Sequence, residues 1–148
     1  MKAAIFEKPG LENLKIKDDV EQPKITDHDV LIRVKAAGVN PFDHITISGT
    51  REIKPIPHIP GAETRGEIEK VGEHVTSLKE GDKVIVYNRV FEGTCDMCLT
   101  QSEMLCRDGG PLNANIIGLI TNGGFAEYIA VPEKNAFKIP VEGICSGS

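Results

Sequence analysis

The sequence predicts a mainly β protein, a barrel or sandwich of short strands with little helix. Three observations predict it: several segments alternate apolar and polar residues with period two, glycine and proline turns separate them, and one stretch alone carries helix-start chemistry. In 13–17, Leu14 and Ile16 lie on one face and the lysines on the other. In 30–36, Val30, Ile32, Val34 and Ala36 share a face opposite Leu31, Arg33 and Lys35. Asn40-Pro41 ahead of 42–47 is an N-cap and N1 pair that opens one short helix. In 64–71, Gly66 and Ile68 oppose Arg65, Glu67 and Glu69, and 82–87 is a short apolar run after Gly81. The segments 125–131 and 137–139 are the last strand candidates, and 99–106 reads as a single irregular turn. Turn chemistry falls at Pro9-Gly10, Pro60-Gly61, Glu80-Gly81-Asp82 and Asn122-Gly123-Gly124.

The 148 residues carry 17 Lys and Arg against 22 Asp and Glu, a formal charge of −5. That length suits one domain, with roughly two thirds of the unfolded surface buried. The negative balance and the lack of a basic cluster argue against nucleic acid as a partner. No apolar run approaches the roughly 20 residues that span a bilayer. Glu7 interrupts the N-terminus before a signal-peptide core can form, so no membrane partner and a cytoplasmic location are expected. His28, His58 and His74 lie among charged or proline residues and read as surface histidines.

The strongest chemical signal lies in 88–115, a stretch without periodicity and too long for a bare loop in a compact domain. Three of the four cysteines, Cys95, Cys98 and Cys106, fall within it. Cys-x-x-Cys brings two thiolates to one point, and Cys106 returns eight residues later. A structural zinc takes four tetrahedral ligands, so three sulfurs leave one place. Glu92 stands three residues before Cys95, the same step that separates Cys95 from Cys98, and a carboxylate oxygen is an acceptable ligand. The competing readings are a thioredoxin-like redox pair, for which the βαβ context is missing, and inert thiols beside a hydrated Glu92.

This cluster resembles the structural-zinc lobe of the medium-chain alcohol dehydrogenases, whose pattern is Cys-Gly-x-Cys-x-x-Cys and a fourth cysteine eight residues on. Glu92 takes the first cysteine's place, Gly93 is kept, and Cys95, Cys98 and Cys106 match. Other landmarks follow in order: VKAAGV at 34–39, Pro60-Gly61-Ala62-Glu63 for Pro-Gly-His-Glu, the stretch 66–86, and GGFAEY at 123–128. The resemblance implies a GroES-like β-barrel with short helices and a zinc-binding lobe, over 1–140, with the lobe at about 88–115 and a tail at 141–148. It implies one structural zinc on Glu92, Cys95, Cys98 and Cys106.

The family's catalytic zinc, by contrast, would meet Asn40 at its cysteine place and Ala62 at its histidine place, with Phe42 at the hydroxyl-relay position. Asn40-Pro-Phe-Asp43 is similar instead to the Asn-Pro-x-Asp of the quinone-reductase branch, which reduces activated double bonds without a catalytic zinc. The resemblance marks Asn40, Asp43 and Glu63 as candidate catalytic residues; Asn40 is also a good N-cap, and Glu63 is also suited to anchoring a loop. Cys145-Ser146-Gly147 reads as a free thiol in a terminal tail. No Gly-x-Gly-x-x-Gly stretch occurs, so no nucleotide-binding Rossmann domain is expected in these residues. NAD(P) and a small-molecule substrate are then expected only alongside such a domain, and this chain alone is expected to be inactive. The leading expectation is the N-terminal catalytic domain, or a truncated form, of an NAD(P)-dependent oxidoreductase. The alternative is a non-enzymatic, zinc-stabilised barrel module for association, including homo-oligomers.

Overall fold

A computed structural model of the chain describes residues 1–50, 56–107 and 116–140. Cys145, the 141–148 tail and the 108–115 end of the expected lobe lie outside the described residues. The longest strand, β3 (Asp29–Gly38), follows a two-stranded ribbon of β1 (Ala3–Ile5) and β2 (Lys15–Lys17). It leads into α1 (Pro41–Ser48) and then β4 (Glu63–Val71) and β5 (Lys83–Val86). A small lobe carries α2 (Asp96–Leu99), and β6 (Tyr128–Pro132) and β7 (Ala136–Lys138) complete the order. The main sheet is antiparallel, ordered β6-β3-β4-β5-β7, and curls as a half-barrel. The ribbon is tied to the segment ahead of β6 by Ala4 N–H, which donates to the Phe125 carbonyl at 2.7 Å.

The concave side of that sheet holds the main core. Ile32 is the cross-strand partner of both Ile68 and Ile129, and Val30 of both Val71 and Val131. These side chains pack with Leu78, Val84 and Ile117, all nearly excluded from water. Gly66 is required where β4 crosses β3, because a Cβ there would stand 2.3 Å from the Arg33 carbonyl oxygen. A second cluster of Phe6, Ile47, Ile116 and Leu119 seats α1 against the turn before β6.

The expected strands and the helix are present, with four corrections. β1 was not among the strand candidates. Leu31 is buried at 5 % exposure although alternation puts it on the Arg33 face, because both faces of β3 are covered at this end, where Val30 and Ile32 are buried as well. Ile16 is 67 % exposed, since the β1–β2 ribbon stands apart from the main sheet. His58, read as a surface residue, is fully buried: its ring meets Phe6 edge-on, and one ring nitrogen, Nε2, lies 3.0 Å from the Gly118 carbonyl oxygen. Among the described residues no helix is long and apolar enough to cross a membrane.

Candidate metal centre and the adjoining cleft

Local chemistry folds the lobe around its sulfurs. Gly93, at φ 101°, turns the chain so that the Glu92 carboxylate accepts the N–H groups of Thr94 (2.8 Å) and Cys95 (2.7 Å), and the Thr94 hydroxyl as well. Cys95 caps α2, which carries Cys98 one turn on. A 3-10 turn at Glu103–Leu105 then returns Cys106 to the same point. The Arg107 guanidinium grips Asp96 with two contacts of 2.6 Å, joining the two ends of the lobe and holding the Asp96 carboxyl down at about 2. Lys134 ties the lobe to the barrel by donating to the Glu92 carbonyl at 2.7 Å while lying over the Phe91 ring.

One ligand atom from each of Glu92, Cys95, Cys98 and Cys106 lies within 4.8 Å of the others. Cys95 Sγ stands 3.5 Å from Cys98 Sγ and 4.0 Å from Cys106 Sγ. Tetrahedral zinc–thiolate bonds of about 2.3 Å set sulfurs about 3.8 Å apart, so the observed pairs bracket that spacing. The donor set therefore fits a zinc-type ion. Its geometry is a four-point convergence rather than a two-sulfur redox pair. Burial pushes the Cys98 thiol up to about 11, and the neighbouring Cys95 and Cys106 push the same way. A divalent cation among them reverses that direction, since it favours every thiolate at once.

The second feature is a cleft of about 280 Å³ between the start of α1, the start of β4 and the segment that runs from β5 to the lobe. Asn40, Phe42, Ala62 and Glu63 line one side, and Asn88 and Arg89 the other. Two of the three sequence candidates, Asn40 and Glu63, are thus brought together on its wall. Asp43 sits beneath, 1 % exposed, and does not line it. Its Oδ1 accepts the N–H groups of Gly61 and Ala62, both at 3.2 Å, and its Oδ2 accepts the Asn40 N–H at 2.8 Å. That carboxylate fixes the helix start against the loop that carries Ala62 and Glu63. Sequence reasoning missed Asn88 and Arg89. Their only signal was position, directly after the apolar β5 run. It also missed Asn135, fully buried, whose amide donates to the carbonyls of Tyr87 (2.8 Å) and Arg89 (2.6 Å) and so holds that wall.

The alcohol dehydrogenase GroES-like domain family matches residues 26–141. The chain is 41 % identical over 145 residues to an alcohol dehydrogenase of Geobacillus stearothermophilus, covering 95 % of this chain and 40 % of that protein. It is 40 % identical over 100 residues to a quinone oxidoreductase of Sus scrofa, covering 67 % of this chain and 30 % of that protein. Among solved structures, a cobalt- and zinc-bound thermostable alcohol dehydrogenase of Pyrobaculum aerophilum superposes with a TM-score of 0.86 at 47 % identity, covering 93 % of this chain and 40 % of that one. The chain spans about two fifths of the length of the alcohol dehydrogenase relatives it matches. A GroES-like half-barrel, a lobe of converging sulfurs and these matches agree: the chain belongs to the alcohol dehydrogenase GroES-like domain family, within the medium-chain dehydrogenase/reductase superfamily.

Proposed function

We propose that this chain is the substrate-side domain of an NAD(P)-dependent oxidoreductase, holding one structural zinc and no catalytic one. The observation that carries the zinc assignment is the convergence of Glu92, Cys95, Cys98 and Cys106 within 4.8 Å. A zinc there supplies cross-links to a lobe with little core of its own. A reducing, cytoplasmic setting belongs to this reading, since it keeps the thiols free to ligate.

The cleft is the proposed substrate site. Ala62 offers no donor and Asn40 only an amide, so the wall suits hydrogen bonding to a carbonyl oxygen better than holding a metal. Bound nicotinamide supplies the hydride, and it is brought by a part of the protein outside this sequence. Within this chain, Asn40 and Glu63 orient a small-molecule substrate from one wall. Asp43 acts as a positioning residue, holding the Asn40 and Ala62 backbone in register. Phe42 and Ile116 keep water from part of the pocket.

Metal analysis of dialysed protein tests the reading: one tightly held zinc per chain is expected, and two would defeat it. A fluorescence titration of the longer gene product with NAD(P)H tests the oxidoreductase assignment, and failure to bind would remove it. A second reading, a non-enzymatic association module, is favoured by Leu99, Met104 and Leu105, which leave an apolar surface on the lobe at 73 %, 56 % and 62 % exposure. Chelator-driven dissociation on size exclusion would support the module, and an unchanged mass would count against it.

A further inference from the structure

A second group of metal-ligating side chains lies outside the lobe and the cleft. His28, in the turn that enters β3, and His74, in the connection between β4 and β5, are exposed, with ring centroids 4.9 Å apart and planes inclined at 46°. They are 46 positions apart in sequence, so only the fold brings them together. The backbone that carries them is fixed. His74 N–H donates to the Asp27 carbonyl at 2.8 Å, and Gly72 N–H to the Asp29 carbonyl at 2.9 Å. The two turns touch so closely that a Cβ on Gly72 would stand 2.4 Å from the carbonyl oxygens of both Thr26 and Asp27.

A third segment locks onto the same place. Glu133 N–H donates to the His28 carbonyl at 3.0 Å. The Glu133 carboxylate accepts the N–H of Thr76 at 2.8 Å and the N–H and hydroxyl of Ser77, close after His74. His28 is near enough to help hold the Glu133 carboxyl below its usual range, after the larger effect of the Ser77 hydrogen bond. The fold thus sets two imidazole rings side by side on separate, mutually braced turns, beside a carboxylate.

We infer that His28 and His74 together chelate a divalent transition-metal ion, a labile surface site chemically distinct from the sulfur lobe. Imidazole suits borderline cations such as Ni²⁺, Cu²⁺ and Zn²⁺. With two protein nitrogens and the remaining positions left to water, such an ion exchanges readily, unlike one enclosed by three sulfurs and a carboxylate. Its bridging pins the turn before β3 to the β4–β5 connection, so it stabilises the folded chain by binding that state alone.

The test uses the full chain with its lobe already loaded with zinc, titrated calorimetrically with Ni²⁺ at neutral pH while released zinc is measured. One Ni²⁺ per chain is expected, with zinc retained and the thermal midpoint raised. His28→Gln and His74→Gln should each weaken that event at least about tenfold, the scale on which even outer-shell partners of a metal act. His44→Gln, an exposed histidine elsewhere, should leave it unchanged. Absence of binding in the parent, equal affinity in either variant, or zinc release matching Ni²⁺ uptake would each overturn the inference. Both substitutions are at exposed side chains, and the nickel-free thermal midpoint of each variant establishes that it folds. In the double variant the nickel-induced rise in midpoint should vanish, and its persistence would also overturn the assignment.

Discussion

Replacing Asp43 separates a structural carboxylate from one that touches substrate. Its two oxygens accept three backbone N–H groups, from Asn40 at 2.8 Å and from Gly61 and Ala62 at 3.2 Å, and the side chain is 1 % exposed. Asp43→Ala removes all three acceptors and leaves buried donors without partners. Hydrogen bonds to a charged group contribute about 1.5–3 kcal/mol each, but two of these are long, so a loss of about 3–5 kcal/mol is expected. Asp43→Asn keeps the shape and one carbonyl acceptor for Gly61 and Ala62, but turns an amide N–H₂ toward the Asn40 N–H. That donor-to-donor contact should cost about 1–3 kcal/mol. Urea unfolding gives the comparison: the midpoint should fall in the order parent, Asn, Ala, with the slope unchanged. A parent-like midpoint for Asp43→Ala would refute the idea that this carboxylate holds the cleft loop to the helix.

Glu92→Ala removes one of four converging ligand atoms and the acceptor for the Thr94 and Cys95 N–H groups, so zinc retention should fall and proteolysis near 92–106 should rise. Unchanged metal content and protease resistance would show that Glu92 is not the fourth ligand. Burial holds the His58 imidazole below its usual 6.5, against a smaller opposing effect of the Gly118 carbonyl. The folded state therefore binds fewer protons than the unfolded one between that lowered value and 6.5. This contribution to stability is intact above pH 6.5 and falls as pH drops through the window, by at most about 1.4 kcal/mol per pH unit. Denaturation midpoints across pH should show that slope in the parent and lose it in His58→Gln; an equal slope in both would assign it to other groups.

What could be read from the sequence was what short-range spacing encodes. The convergence of Glu92, Cys95, Cys98 and Cys106 was legible because they recur at steps of three, three and eight, and short turns bring such steps to one point whatever the rest of the chain does. The α1 start was legible for the same reason, since Asn40-Pro41 and the Asp43 carboxylate act within one turn. The cleft's far wall was not, because Asn88 and Arg89 reach Asn40 only through the sheet. His58 was misread because its neighbours Pro57 and Pro60 look like loop, while the packing partner that buries it, Phe6, lies at the other end of that loop's contacts. Leu31 was misplaced because simple alternation assumes one buried face, and at this end of β3 both faces are covered, with Val30 and Ile32 on one and Leu31 on the other.

The cysteine lobe and the cleft share one strip of backbone, and a buried side-chain amide helps hold it. The Asn135 side-chain amide donates to the carbonyls of Tyr87 and Arg89, while its backbone carbonyl accepts the Tyr87 N–H at 2.8 Å. Ile117 N–H donates to the Asn88 carbonyl at 2.8 Å from the other side. Three residues beyond Arg89 stands Glu92, the first of the four converging side chains of the lobe. Asn135→Ala removes both side-chain donors, and two lost hydrogen bonds with buried carbonyls left behind should cost about 2–4 kcal/mol. A loss confined to stability would lower the unfolding midpoint and nothing more. A strip that couples the two sites should also exchange its amide hydrogens faster at 87–92, with zinc bound less tightly, while β3 and β4 keep their protection. Parent-like exchange at 87–92 in the folded variant would mean that lobe and cleft are held independently.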